Sequence, residues 1–142
     1  MGQGRIIGVD YGAKRVGLAL SDPLRLFSQP LGAFEPTAAL QKLEELDATD
    51  GVECLVVGWP VLPDGSEGEA VKKVRSYIKR LRGLLPDVAI VTWNEEYTSE
   101  LAKSLISRGE RPSLWRTGRG RIDAAAAAIL LQEYLDGLKN EI

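Results

Sequence analysis

Two β-type apolar runs, Arg5–Asp10 and Val16–Asp22, are separated only by the turn-forming Tyr11-Gly12-Ala13-Lys14-Arg15. A connection this short cannot carry a crossover, so the runs form an antiparallel hairpin. Phe27 to Phe34 is a weaker third run interrupted by Pro30, which places it on a sheet edge because proline lacks the ladder donor. The pattern then changes period. Leu40, Leu43 and Leu46 after Pro36 have helical spacing, Glu53–Val57 is a short buried strand closed by Gly58-Trp59-Pro60, and Glu69–Leu85 is an amphipathic basic helix. Val88–Trp93 is a further strand. A helix through Leu101, Leu105 and Ile106 is capped by Thr98 or Ser99, and Ile122–Lys139 is a last helix with five consecutive alanines, small enough to lie close on a sheet. The order β-β-β-α-β-α-β-α-α predicts an α/β fold: one five-stranded mixed sheet, three antiparallel strands then two parallel, flanked by helices in a single domain over residues 1–142.

Composition narrows the chemistry. The chain has no histidine, which removes Ser-His-Asp and Cys-His catalysis and histidine-based zinc sites. Its one cysteine, Cys54, lies in an apolar run and reads as a buried hydrophobe, which favours a reducing compartment. No apolar stretch is long enough for a membrane helix and no signal peptide is evident, so the expected location is the cytoplasm. The net charge of −2 is unevenly spread: Arg108, Arg111, Arg116, Arg119 and Arg121 face a single acid, Glu110. That loop is either a solvated segment or a patch for phosphate backbones.

Ligands of open α/β sheets gather at the carboxyl ends of parallel strands. Asp10 closes the first strand and Glu95 lies just past the last. Asp123 starts the helix that packs back on the sheet. Clustered carboxylates repel unless a cation neutralises them, and Mg²⁺ and Mn²⁺ prefer such oxygen ligands. Taken singly, Asp10 also suits a turn, Glu95 a surface and Asp123 a helix cap. Gly8, Gly12 and Gly17 either admit a ligand to the backbone or serve the hairpin. Lys14 and Arg15 either meet phosphate or decorate a solvated turn. Trp59 stacks on a base or packs against the loop that follows it, and Trp93 is read as core.

Four segments in order resemble one family over nearly the whole chain. Gly8-Val9-Asp10-Tyr11-Gly12-Ala13-Lys14-Arg15-Val16-Gly17-Leu18-Ala19-Leu20-Ser21-Asp22 resembles the opening motif of the YqgF (RuvX) family, Holliday junction resolvases also described as pre-16S rRNA nucleases. Leu55-Val56-Val57-Gly58-Trp59-Pro60, with Asp64-Gly65-Ser66-Glu67-Gly68, resembles its second motif. Asn94-Glu95-Glu96-Tyr97-Thr98-Ser99 stands in place of its Asp-Glu-Arg motif, and Ile122-Asp123 followed by alanines resembles its last helix.

The resemblance implies a ribonuclease H-like fold and a metal-dependent nuclease. Asp10, Glu95 and Asp123 would share two divalent ions, Mn²⁺ or Mg²⁺, with a bound water as nucleophile. The implied substrates are an rRNA precursor or branched DNA, and the implied state is monomer or homodimer. The sequence departs at Asn94, where an aspartate is usual, and at Glu96, where an arginine is usual. If that usual arginine holds a phosphate, Arg116, Arg119 or Arg121 would take over its role here. The departures also keep a second class open, a nucleic-acid-binding module of the same fold without catalysis. An actin-like ATP-binding fold needs two lobes and far more residues.

Overall fold

A computed structural model describes residues 4–60, 66–94 and 124–140. Strands β1 (Arg5–Tyr11), β2 (Val16–Ser21), β3 (Ser28–Phe34), β4 (Val52–Trp59) and β5 (Ala89–Asn94) form one sheet in the order β3-β2-β1-β4-β5. β1–β2 and β2–β3 pair antiparallel, and β1–β4 and β4–β5 pair parallel, as the sequence pattern predicts. Helices α1 (Pro36–Thr49) and α2 (Glu69–Leu84) follow β3 and β4, and α3 (Ala125–Asn140) ends the described chain. The helix expected through Leu101, Leu105 and Ile106 lies outside the described residues.

Local chemistry fixes the boundaries. Pro36 opens α1 at a position where its missing N–H costs nothing. Gly51, at φ +79°, donates to the Leu46 carbonyl and turns the chain out of α1 into β4, a backbone state that a side chain would strain. β3 is one of the two edge strands of the described sheet, with Pro30 inside it. Next to Pro30 the β2–β3 register shifts, so that Leu18 faces Gly32 while Ala19 faces Pro30. The extra residue, Leu31, is a bulge at the point where the proline cannot donate. β4 runs two residues past the expected Val57, and Val88 falls in the turn before β5, where its N–H bonds to Leu85.

The pleat sends β1 side chains to two different cores. Ile7 and Val9 pack with Leu43 of α1 and Val74, Tyr77, Ile78 and Leu81 of α2. Ile6 packs with Cys54, Val56 and the buried face of α3. On that side the helix presents Ala125, Ala127 and Ala128, and the backbones come close: a β-carbon at Gly8 would lie 2.6 Å from the Ala127 carbonyl oxygen. The alanine run is a packing surface, as expected. Gly8 makes room for the helix, and Gly12, whose β-carbon would meet the Arg15 carbonyl at 2.7 Å, serves the hairpin turn.

Candidate active site

Because β1, β4 and β5 are parallel, their last residues reach one edge. Val9 pairs with Val57, Gly58 with Trp93, and Trp59 with Asn94. Asp10 therefore stands at the carboxyl end of β1, opposite Gly17 of β2, and Asn94 at the carboxyl end of β5. Glu95 is the next residue in sequence and lies outside the described residues, as do Asp123, Arg116, Arg119 and Arg121.

Alternation along β1 puts Asp10 on the same face as Ile6 and Gly8, the face covered by α3. The run of α3 follows from its contacts. Ser28, paired with Ser21 beside the amino end of β1, donates its hydroxyl to the Ala128 carbonyl at 2.5 Å and its N–H to Gln132 at 2.8 Å. Ala127 lies over Gly8, in mid-strand. The helix thus starts near the carboxyl edge and runs down the sheet. Its first turn, closed by Ala128 N–H to the Ala124 carbonyl, is oriented with the positive end of the helix toward the edge that carries Asp10. Asp123 immediately precedes that turn in sequence.

The Asp10 carboxylate is half-buried and takes no hydrogen bond or ion pair from any described residue. A partly buried carboxylate with no partner among the described residues is suited to a hard cation, which offsets the cost of its lost hydration. Asp10 therefore fits a divalent ion as a ligand.

The other expected contacts divide. Lys14 and Arg15 lie exposed in the β1–β2 turn beside Asp10. Trp59, half-buried, packs on the α1–α2 core and lies 5.5 Å beneath the Arg75 guanidinium, so an α2 cation occupies one of its faces. Trp93 is a packing residue: it stands edge-on to Tyr134 and donates its indole N–H to Glu133 at 3.2 Å. Sequence reasoning missed the pairing of Arg75 with Trp59 and that of Tyr11 with Tyr77, whose rings lie 4.7 Å apart. For Trp59 the signal was an aromatic residue ending the strand ahead of a basic helix, and for Tyr11 it was only an aromatic residue ending a strand.

A family model described as "RuvX: Holliday junction resolvase" matches residues 4–137. The chain belongs to the RuvX family. Relatives named "Putative pre-16S rRNA nuclease" include one from Salinibacter ruber, 44% identical over 94% of this chain and 94% of its own length. Another, from Chlorobium luteolum, is 38% identical over 94% of this chain and 95% of its own. Thermus thermophilus RuvC, solved with a Holliday junction substrate, superposes with a TM-score of 0.60 at 15% identity, covering 96% of both chains. The mixed sheet is thus the ribonuclease H-like fold that the sequence resemblance implied, and RuvX membership makes the chain a nuclease-family protein.

Proposed function

We propose that this RuvX chain is a divalent-metal-dependent nuclease acting on structured nucleic acid, with Asp10, Glu95 and Asp123 as its metal-binding carboxylates. The observation that carries the proposal is the half-buried Asp10 at the carboxyl edge, without a hydrogen-bond or ion-pair partner among the described residues. β5 ends at that edge with Asn94, one residue before Glu95 in sequence, and α3 begins with Ala125, two residues after Asp123.

Two ions, Mn²⁺ or Mg²⁺, would supply an activated water and charge stabilisation at the leaving oxygen. The protein's own part is to hold the carboxylates on rigid strand and helix ends. Lys14 and Arg15 position the phosphate backbone from one side of the edge, and Arg116, Arg119 and Arg121 supply the cation that Glu96 cannot. The relatives named for pre-16S rRNA favour the 5′ end of an rRNA precursor as substrate, and RuvC's Holliday junction is the second candidate. Cytoplasmic action is part of the same proposal.

The test is a cleavage panel with Mn²⁺ on precursor rRNA, four-way junctions and single-stranded DNA. Cleavage that stops with EDTA and in Asp10→Asn, with binding retained, supports the nuclease. Binding without cleavage of any substrate supports instead the non-catalytic module that Asn94 and Glu96 keep open.

A further inference from the structure

We infer that the outward face of α2 is a second nucleic-acid contact surface, a basic ridge that tracks the phosphate backbone away from the catalytic edge. The inference rests on the reading of the chain as a nucleic-acid enzyme and extends its footprint to the face of the sheet opposite Asp10.

α2 buries Val71, Val74, Tyr77, Ile78 and Leu81. Its exposed positions carry Lys72, Lys73, Arg75, Lys79, Arg80 and Arg82 against one acid, Glu69, in a chain whose net charge is −2. The six form three pairs seven residues apart, so the charge runs the length of a 16-residue helix, about 24 Å. Solvated helix faces ordinarily mix signs at i,i+3 and i,i+4. Here Lys72 and Arg75, Arg75 and Lys79, and Lys79 and Arg82 set like charges at those spacings. Lys72 and Lys73 also stand near the positive end of the helix dipole, where cations are disfavoured.

The molecule does little to offset this. Lys72 pairs with Glu69 at 3.3 Å and Arg75 with Glu67 at 3.2 Å, both pairs largely exposed and so weak. Lys73, Lys79, Arg80 and Arg82 form no ion pair with any described residue. An external polyanion supplies the missing compensation.

The relief of the ridge suits a nucleic acid. A groove of about 250 Å³ separates it from the end of β1 and is lined by Tyr11, Lys73, Tyr77 and Arg80. A second, of about 520 Å³, separates it from the ends of β4 and β5 and is lined by Trp59, Arg75, Lys79 and Arg82. Each groove sets one partly exposed aromatic ring, Tyr11 or Trp59, among cations, an arrangement suited to single strands and loops. Both begin at residues adjoining the carboxyl edge, Tyr11 after Asp10 and Trp59 beside Asn94.

The experiment uses the full chain in EDTA and a fluorescent RNA hairpin of about 30 nucleotides, long enough to span both the edge and a 24 Å helix. In the variant Lys73→Ala/Lys79→Ala/Arg80→Ala/Arg82→Ala, Kd should rise at least about tenfold. The slope of log affinity against log salt should fall by about 2 to 3, the signature of three or four phosphates left without a cation. Hydrolysis of bis(p-nitrophenyl) phosphate with Mn²⁺, a substrate too small to reach α2, should be unchanged. Arg82→Glu alone should weaken binding in the same direction, which guards against a folding defect in the quadruple variant. Unchanged affinity and slope overturn the inference. So does a wild-type dimer that the quadruple variant splits while RNA affinity holds, because the ridge is then an interface between copies. If the wild type hydrolyses no phosphodiester, the nuclease reading fails while the binding comparison still stands or falls alone.

Discussion

The two faces of the sheet are built differently. The α1–α2 face is thick: Leu43, Tyr77, Ile78 and Leu81 hold the helices off β1 by whole side chains. The α3 face is thin: alanines meet Gly8, and helix backbone nearly touches strand backbone. A thick layer tolerates repacking, because long side chains change rotamer before the backbone moves. A thin layer has nothing to yield, so the start of α3 is held rigidly against the strand that carries Asp10. Metal carboxylates would need that fixity, and the proposed catalytic role of Asp10 belongs to the thin face.

The largest effect expected is on chemistry. Asp10→Asn should lower cleavage by at least about a thousandfold, the loss of several kcal/mol of charge stabilisation, with the melting temperature little changed. Steady-state cleavage beside a thermal melt checks it. Leu43→Ala on the thick face should cost about 2–5 kcal/mol of stability and leave the turnover of the folded fraction intact. Gly8→Ala on the thin face should cost less stability, about 1–3 kcal/mol, yet reduce turnover, because the helix must shift to clear the new methyl. If Gly8→Ala keeps full turnover while Leu43→Ala loses it, the contrast between faces is wrong.

A smaller effect lies in alkali. Tyr77 is buried and donates to the Pro36 carbonyl at 3.0 Å. Burial pushes its hydroxyl from 10.0 up to about 12, against the pull of Arg80. A phenol harder to ionise folded than unfolded contributes stability that is complete below about pH 10 and is lost as the pH climbs toward about 12. Chemical denaturation from about pH 9 to 12 should show that loss, with a shallower decline in Tyr77→Phe. That variant should also lose about 1 kcal/mol at neutral pH with the hydrogen bond.

Much of this was legible in the sequence, for reasons that differ by element. The hairpin was readable because the short link from Asp10 to Val16 leaves one geometry, and β3 because Pro30 belongs only on an edge. The parallel edge followed from the helices between the later strands. The bulge at Leu31 was not readable, since periodicity does not register one extra residue. Gly8 was read as serving either a ligand or the hairpin, and the position of Ala127 shows a third role, making room for α3. Asp10 could be placed at the edge from the sequence. Its lack of a partner among the described residues depends on where every neighbouring side chain points, which no one-dimensional pattern carries.

The most direct measurement is a calorimetric Mn²⁺ titration of the wild type beside Asp10→Asn, Glu95→Gln and Asp123→Asn. Shared cations require about two ions per chain in the wild type, with weakened or abolished binding in every variant. Identical isotherms for wild type and Asp10→Asn, or no heat at millimolar metal, would contradict it.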